Sequence, residues 1–427
     1  MNDTFRKEKI DTAKIEMTAT NGNLVDVNPI HFFASVALML DLEKESQLYH
    51  AWRVAVVAYH LATRLTPFQA PHIFLASLLA DCGAIRCKRH IVHELIDSPA
   101  TLSQKSQTDL FFHPVVGSET IKPIPGMRKV ARLILQHHEC FNGSGYPASL
   151  DGENIELGAQ IIRIADQFDL IMRADQPERA EDIINSLATF AGEEFSKPLL
   201  KALSDLLVSE LSLAKLIQHE KIANEVDKIC GSLSQFNLFN RNQEWERAFE
   251  AIGDMIDYRN DLFSRGHSHR VASLSGKIAQ QMGLSEEDQK LTRWAAYLQN
   301  MGEVGLRRQL LAKSGKLDEA EKQLIKYHPI LGYNLISRIS GFADLAKIIR
   351  HHHESWDGSG YPEGLAMTET PIQARILHLA DSFDAMTSDR SYQRKREWKI
   401  ALKELYRKSG KQYDPQVVEA ARTILSV

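Results

Sequence analysis

Two stretches hold most of the residues able to do chemistry. His351-His352-His353-Glu354-Ser355-Trp356-Asp357-Gly358-Ser359-Gly360-Tyr361-Pro362 sets three imidazoles and a carboxylate before a glycine-rich turn. His137-His138-Glu139-Cys140-Phe141-Asn142-Gly143-Ser144-Gly145-Tyr146-Pro147 repeats the pattern upstream. Neutral imidazole nitrogens suit zinc, iron and other transition metals. Adjacent residues on a helix point roughly 100° apart, so His352 and His353 can share one centre only where a helix ends. The Asp-Gly and Gly-Ser-Gly steps supply that end.

These histidines need scaffolding, and the scaffold is itself repeated. A shift of 215 residues carries His138 onto His353, His113 onto His328 and Asp166 onto Asp381. His113-Pro114-Val115-Val116-Gly117 falls on His328-Pro329-Ile330-Leu331-Gly332, and Ile164 to Asp169 falls on Leu379 to Asp384. A shift of 217 sets His50 to Ala55 on His267 to Ala272. A lone histidine is usually a hydrogen-bonded core residue, but a matching set in two copies points to a metal-site ancestry. Apolar residues recur at three- and four-residue spacing, as in Val54, Val57, Ala58 and Leu61, so the chain is expected to be all-α. The expected organisation is a mobile arm over 1–22, a first helical bundle over 23–210, a helical connector over 211–235 and a second bundle over 236–427.

Composition excludes several classes. With 427 residues, 44% apolar and 25% charged, the chain reads as an ordinary globular protein of two or three domains. A formal net charge of -4 gives no surface for coating a nucleic acid polymer or seeking a membrane. The longest apolar run, Ile30 to Leu40, is shorter than the ~20 residues a bilayer span needs. Four scattered cysteines suit a reducing, cytoplasmic setting. Cys82, Cys87, His90 and His93 match no zinc-finger spacing and are read as packing and loop residues. Trp356 and Tyr361 could stack on a base, though core packing explains the tryptophan as well.

The His-His-Glu…Gly-Ser-Gly-Tyr-Pro strings resemble the HD-GYP family, the cyclic-dinucleotide phosphodiesterase branch of the HD superfamily. The resemblance covers nearly the whole chain. It implies two HD-like helical bundles, a divalent transition metal (iron or manganese) and a cyclic dinucleotide ligand. The ligand set it implies is His50, Asp81, His113, His137, His138 and Asp166 in the first bundle. In the second it is His267, His328, His352, His353 and Asp381. Arg390 and Tyr392 match the family's substrate-phosphate string, whose place in the first bundle reads Asp175-Gln176-Pro177-Glu178.

The chain departs from the family at the His-Asp pair itself. Domain two reads Leu298-Gln299-Asn300-Met301-Gly302-Glu303, replacing both ligands by neutral amides; domain one reads Leu79-Ala80-Asp81-Cys82-Gly83-Ala84 and keeps only the aspartate. Two dications about 4 Å apart repel by roughly 17 kcal/mol at an effective dielectric of about 20. A bridging carboxylate offsets part of that, and Asn300 cannot. Domain two is therefore expected to hold one metal at most, and Asp81 is the catalytic candidate. The expectation is a cyclic-dinucleotide signalling protein acting by ligand or signalling-protein binding, with weak or no hydrolysis. The alternatives are an active phosphodiesterase using domain one and a structural scaffold.

Overall fold

The structure, a computed structural model, describes residues 27–42, 48–86, 104–175, 179–209, 218–236, 238–239, 242–260, 265–313, 315–389 and 395–426. The arm over 1–22, Cys87, His90, His93, residues 211–217 and the Arg390–Gln393 string lie outside these. Among the described residues no strand forms beyond isolated bridges such as Asn142 with Asp151, and the architecture is all-α.

The first bundle contains α1 (Pro29–Asp41), α2 (His50–Leu65), α3 (Ala70–Leu79), α4 (Gln104–Ile121), α5 (Arg128–Gln136), α6 (Leu157–Asp175), α7 (Ala180–Ala188) and α8 (Lys197–Ser209). Helix α9 (His219–Ser232) follows and packs on α1 and α2. The second bundle contains α10 (Asn242–Asn260), α11 (His267–Gln281), α12 (Glu286–Leu298), α13 (Arg308–Leu311), α14 (Glu319–Ile325), α15 (His328–Ile336), α16 (Ala343–His351), α17 (Ile372–Thr387), α18 (Trp398–Arg407) and α19 (Pro415–Leu425).

Helices α2, α3 and α6 pack as α11, α12 and α17 do. Local sequence explains the boundaries. Ser285 caps α12 by accepting the Asp288 N–H, with Glu286, Glu287 and Asp288 in the positive first turn. Asp318 and Glu321 form a capping box at α14. Helices α2 and α11 each follow a left-handed residue, Tyr49 (φ 66°) and Gly266 (φ 70°), that turns the chain so that His50 and His267 open their helices.

Helix α1 is buried on nearly every side, which an all-round apolar helix requires. It lies between the bundles, against α3 on one side and α15 and the 301–305 turn on the other. Phe32 anchors it, with ring centroids 5.7 Å from Trp245 and 5.1 Å from Phe249. One apolar core therefore runs through both bundles, and a smaller one lies among α11, α17, α18 and α19. The stretch Pro67–Ile85 is long and apolar enough to cross a membrane, but 72% of it is buried inside the protein, as in a core helix.

Candidate metal centre

The glycine turns fix where the histidines end up. Asn142 Oδ1 accepts the Ser144 N–H and hydroxyl at 2.9 and 2.7 Å, and Asp357 Oδ1 accepts those of Ser359 at 3.0 and 2.6 Å. Gly143 (φ 81°) and Gly358 (φ 80°) take the left-handed conformation that follows. The glutamates of the two motifs hold these turns: Glu139 accepts the Ala148 and Leu150 N–H groups, and Glu354 those of Glu363, Gly364 and Leu365. His351 and Glu363 also lie near Glu354, but Glu354 is spent on backbone and Arg350 pairs with Glu363.

In the first bundle, Asp81 leaves the end of α3 with its two oxygens facing different groups. Oδ1 lies 3.4 Å from His113 Nε2 and 3.7 Å from His137 Nε2. Oδ2 lies 3.6 Å from His50 Nε2, which in turn lies 3.5 Å from Asp166 Oδ1. That is the disposition of a carboxylate able to bridge two cations. The ligand atoms of Asp81, His113, His137 and His138 all fall within 4.8 Å of one another. His137 spends Nδ1 on the Ile134 carbonyl at 2.6 Å, so its Nε2 turns a lone pair toward His113 Nε2, 3.3 Å away. Converging donors of this kind fit a divalent cation.

His138 fits less well. Arg163, which is held by Glu194 at 2.8 Å, donates to His138 Nδ1 at 2.9 Å. A neutral ring then keeps its proton on Nε2, which is buried without a hydrogen-bond partner. Burial, with His137 and His113 beside it, holds the ring's pKa well below the usual range.

The second bundle brings together His328, His352 and His353. His328 and His352 donate through Nδ1 to Ile325 and Ile349 carbonyls at 2.8 and 2.6 Å, and their Nε2 atoms face each other at 3.3 Å. Burial holds His352 down to about 3. These lone pairs also suit a cation. The second half of the set does not: Gln299 Nε2 stands 3.4 Å from His267 Nε2 and 3.5 Å from Asp381 Oδ1, and Oε1 of the same amide is buried with no partner. His267 Nε2 and Asp381 Oδ1 are themselves 3.3 Å apart, and the amide nitrogen stands beside both, turning donor hydrogens toward them.

Behind each first histidine sits an aspartate the sequence analysis did not single out. Asp169 accepts from His50 Nδ1 at 2.6 Å and also pairs with Arg53 and Arg173. Asp384 does the same for His267 at 2.7 Å, with Arg270. Burial opposes the charged ring, yet the bonds to Asp169 and Asp81 lift His50 to about 10, and those to Asp381 and Asp384 lift His267 as far. A cation at either place would displace that proton. The available signal was that Asp169 and Asp384 each lie one turn beyond a candidate ligand in both copies.

The HD domain family model matches residues 35–194 and 250–417. A protein of Thermotoga maritima named cyclic di-GMP phosphodiesterase is 42% identical over 173 residues, 40% of this chain and 47% of that protein. The 3'3'-cGAMP-specific phosphodiesterase 3 of Vibrio cholerae is 30% identical over 278 residues, 65% of this chain and 58% of that protein. This chain thus spans about half the length of those relatives. A crystal structure of a cyclic GMP-AMP-specific phosphodiesterase of V. cholerae (V-cGAP3) superposes with a TM-score of 0.63 at 21% identity, covering 93% of this chain and 97% of that one. That likeness concerns the fold. The family model, matched twice over more than half of the chain, establishes that the chain belongs to the HD domain family, and the paired glycine turns with the histidine sets behind them resemble its HD-GYP branch.

Proposed function

We propose that the chain is a cyclic-dinucleotide signalling protein that binds its ligand at the first bundle, with hydrolysis weak or absent, while the second bundle serves a non-catalytic role. Gln299 carries this reading. Its amide nitrogen sets a donor against both His267 and Asp381, where a ligand lone pair would be needed, and its neighbour Asn300 lacks the charge to bridge a metal pair. In the first bundle, Ala80 leaves one ligand short. The relatives named cyclic di-GMP and 3'3'-cGAMP phosphodiesterases supply the ligand class.

Divalent cations, when bound, would activate water and polarise a phosphodiester oxygen. The residues of the chain do the positioning. Asp169 aims His50, Asp81 faces both ligand groups, and Arg163 fixes the His138 ring. Phe111 and Phe112 are exposed beside His113, and Phe111 packs edge-on against Tyr146 at 4.8 Å, giving an aromatic mouth on which a base can stack. In the second bundle Lys326 lies over Tyr361 instead.

Calorimetric titration of manganese-loaded protein with cyclic di-GMP and 3'3'-cGAMP tests this. The expected result is binding of at least one of them, lost in Asp81→Ala and kept in His352→Ala, with turnover well below the about 1–10³ s⁻¹ usual for enzymes. Turnover within that range, abolished by Asp81→Ala, would favour the active phosphodiesterase, for which the two-sided placement of Asp81 is the specific support. Binding of neither nucleotide would leave the scaffold reading.

A further inference from the structure

Arg163 sets the two histidine clusters apart. At the 215-residue shift it falls on His378, and Glu194, in the stretch Gly192 to Phe195 that resembles Gly410 to Tyr413, answers to Gln412. The backbones do the same work: the Glu194 carbonyl accepts the Phe141 N–H and the Gln412 carbonyl the Trp356 N–H, both at 3.1 Å, and so clamp the glycine turns. The side chains do not. His378 spends Nδ1 on the His352 carbonyl at 2.9 Å and Nε2 on the Gln412 amide at 3.1 Å. In the first bundle Glu194 Oε2 instead accepts from Arg163 Nη2 and Gln167 Nε2, both at 2.8 Å, and Arg163 Nη1 donates to His138 Nδ1 at 2.9 Å.

An arginine N–H only donates, so the Nδ1 it meets is a lone pair and the proton of the neutral ring sits on Nε2. That nitrogen is buried with no partner, in a ring whose centroid lies 4.9 Å from that of His113 and 4.1 Å from that of His137. A cation at Nε2 needs a lone pair there, which a ring already accepting at Nδ1 supplies only as an imidazolate. We propose that Arg163, held by Glu194, is a positioning residue that keeps His138 out of the metal-ligand set, so that the ion facing Asp81 Oδ1 takes its protein ligands from Asp81, His113 and His137. This rests on the reading that the first bundle binds metal. Three protein ligands leave an open position for a ligand oxygen, and the Arg163–Glu194 pair sets how tightly the first bundle holds its ion.

Two measurements test it. In EDTA-stripped, full-length protein labelled with ¹⁵N-histidine, the His138 resonances, assigned as those lost in His138→Gln, are expected to show Nε2 protonated and Nδ1 bare; the reverse tautomer overturns the proposal. Calorimetric titration with zinc alone, in a His352→Ala parent that disables the second cluster, reads the consequence. His138→Gln is expected to keep the parent's affinity, and His137→Gln to lose about tenfold or more. Arg163→His with Glu194→Gln copies the second bundle's pair, frees Nδ1 and is expected to tighten zinc about tenfold or more. Adding His138→Gln removes that gain, which a merely structural role for Arg163 would not produce. Equal losses in His138→Gln and His137→Gln overturn the proposal, as does unchanged affinity in the folded double variant; if that variant does not fold, the two histidine variants decide. Zinc bound by the double variant but not by the parent supports the proposal. Zinc bound by neither removes the metal reading of the first bundle, whereas the reverse tautomer leaves that reading standing.

Discussion

Asp257 shows what a buried cap costs. It sits 2% exposed in α10, facing Ser268 at the start of α11, and burial, against the help of His267 and the two hydrogen bonds from Ser268, pushes its carboxyl up to about 6 from 3.8. The folded chain therefore keeps a proton that the unfolded chain releases between about pH 4 and 6. Its contribution is fully present below the unfolded value and is lost as pH rises through the folded one, amounting to about 3 kcal/mol at ~1.4 kcal/mol per unit. Urea melts of metal-free protein from pH 4 to 7 should show wild type losing stability relative to Asp257→Asn across that window; a difference that does not vary with pH would refute the assignment. Such residues were hard to see in the sequence. The histidines and Asp166 repeat at one shift and announce themselves. Asp257 falls where the shift changes, and its role depends on Ser268, eleven residues on, reaching across to it from the next helix. Gln299 was legible as a lost ligand, but its amide nitrogen resting against both His267 and Asp381 is a matter of packing.

At the scale of elements, the short 3₁₀ turns after α3 and α12 set the depth of the site. Gly83 lies so close to α4 that a Cβ would stand 2.0 Å from the His113 carbonyl oxygen and 2.5 Å from the Gly117 nitrogen; at Gly302 the distances to His328 and Gly332 are 2.0 and 2.8 Å. Neither neighbour is a side chain that can move aside. Gly83→Ala must push the turn off α4 and carry Asp81 away from His113 and His137, with an expected loss of about 3 kcal/mol or more and of first-bundle metal binding. Gly231→Ala, in helix α9 with nothing within 4 Å of the added methyl, should instead gain up to about 1 kcal/mol. Thermal melts of the two variants decide it, and equal effects would show that the close approach does not position the site. Helix periodicity made these elements legible, and the glycines could be read as repeated. The contact that demands them joins residues 30 positions apart, which no local pattern reveals.

At the scale of the whole molecule, α1 is the piece that makes two bundles one body. The turns that follow the Ala80-Asp81 and Gln299-Asn300 pairs both reach the junction: residues 82–86 pack against α10, residues 301–305 pack against α1, and Arg308 donates to the Ile85 carbonyl. Arg259 ties the second of these turns down through the carbonyls of Glu303, Val304 and Leu306. Phe32, fully buried among Phe33, Trp245, Phe249 and Phe342, holds the centre. With a single apolar core crossing the junction, neither bundle can lose its structure without exposing the other's aromatic face, so calorimetry of the intact chain should give one cooperative transition. Phe32→Ala opens a cavity shared by both bundles and should cost about 3–5 kcal/mol, moving that transition as a unit. Two separate transitions in wild type, or a Phe32→Ala variant in which only one of two moves, would show that the bundles are energetically independent. In that case an event at one histidine cluster could not be felt at the other through the core. If the transition is single, the turns that follow Asp81 and Asn300 share one packed junction, and the second bundle helps determine how rigidly the first holds Asp81.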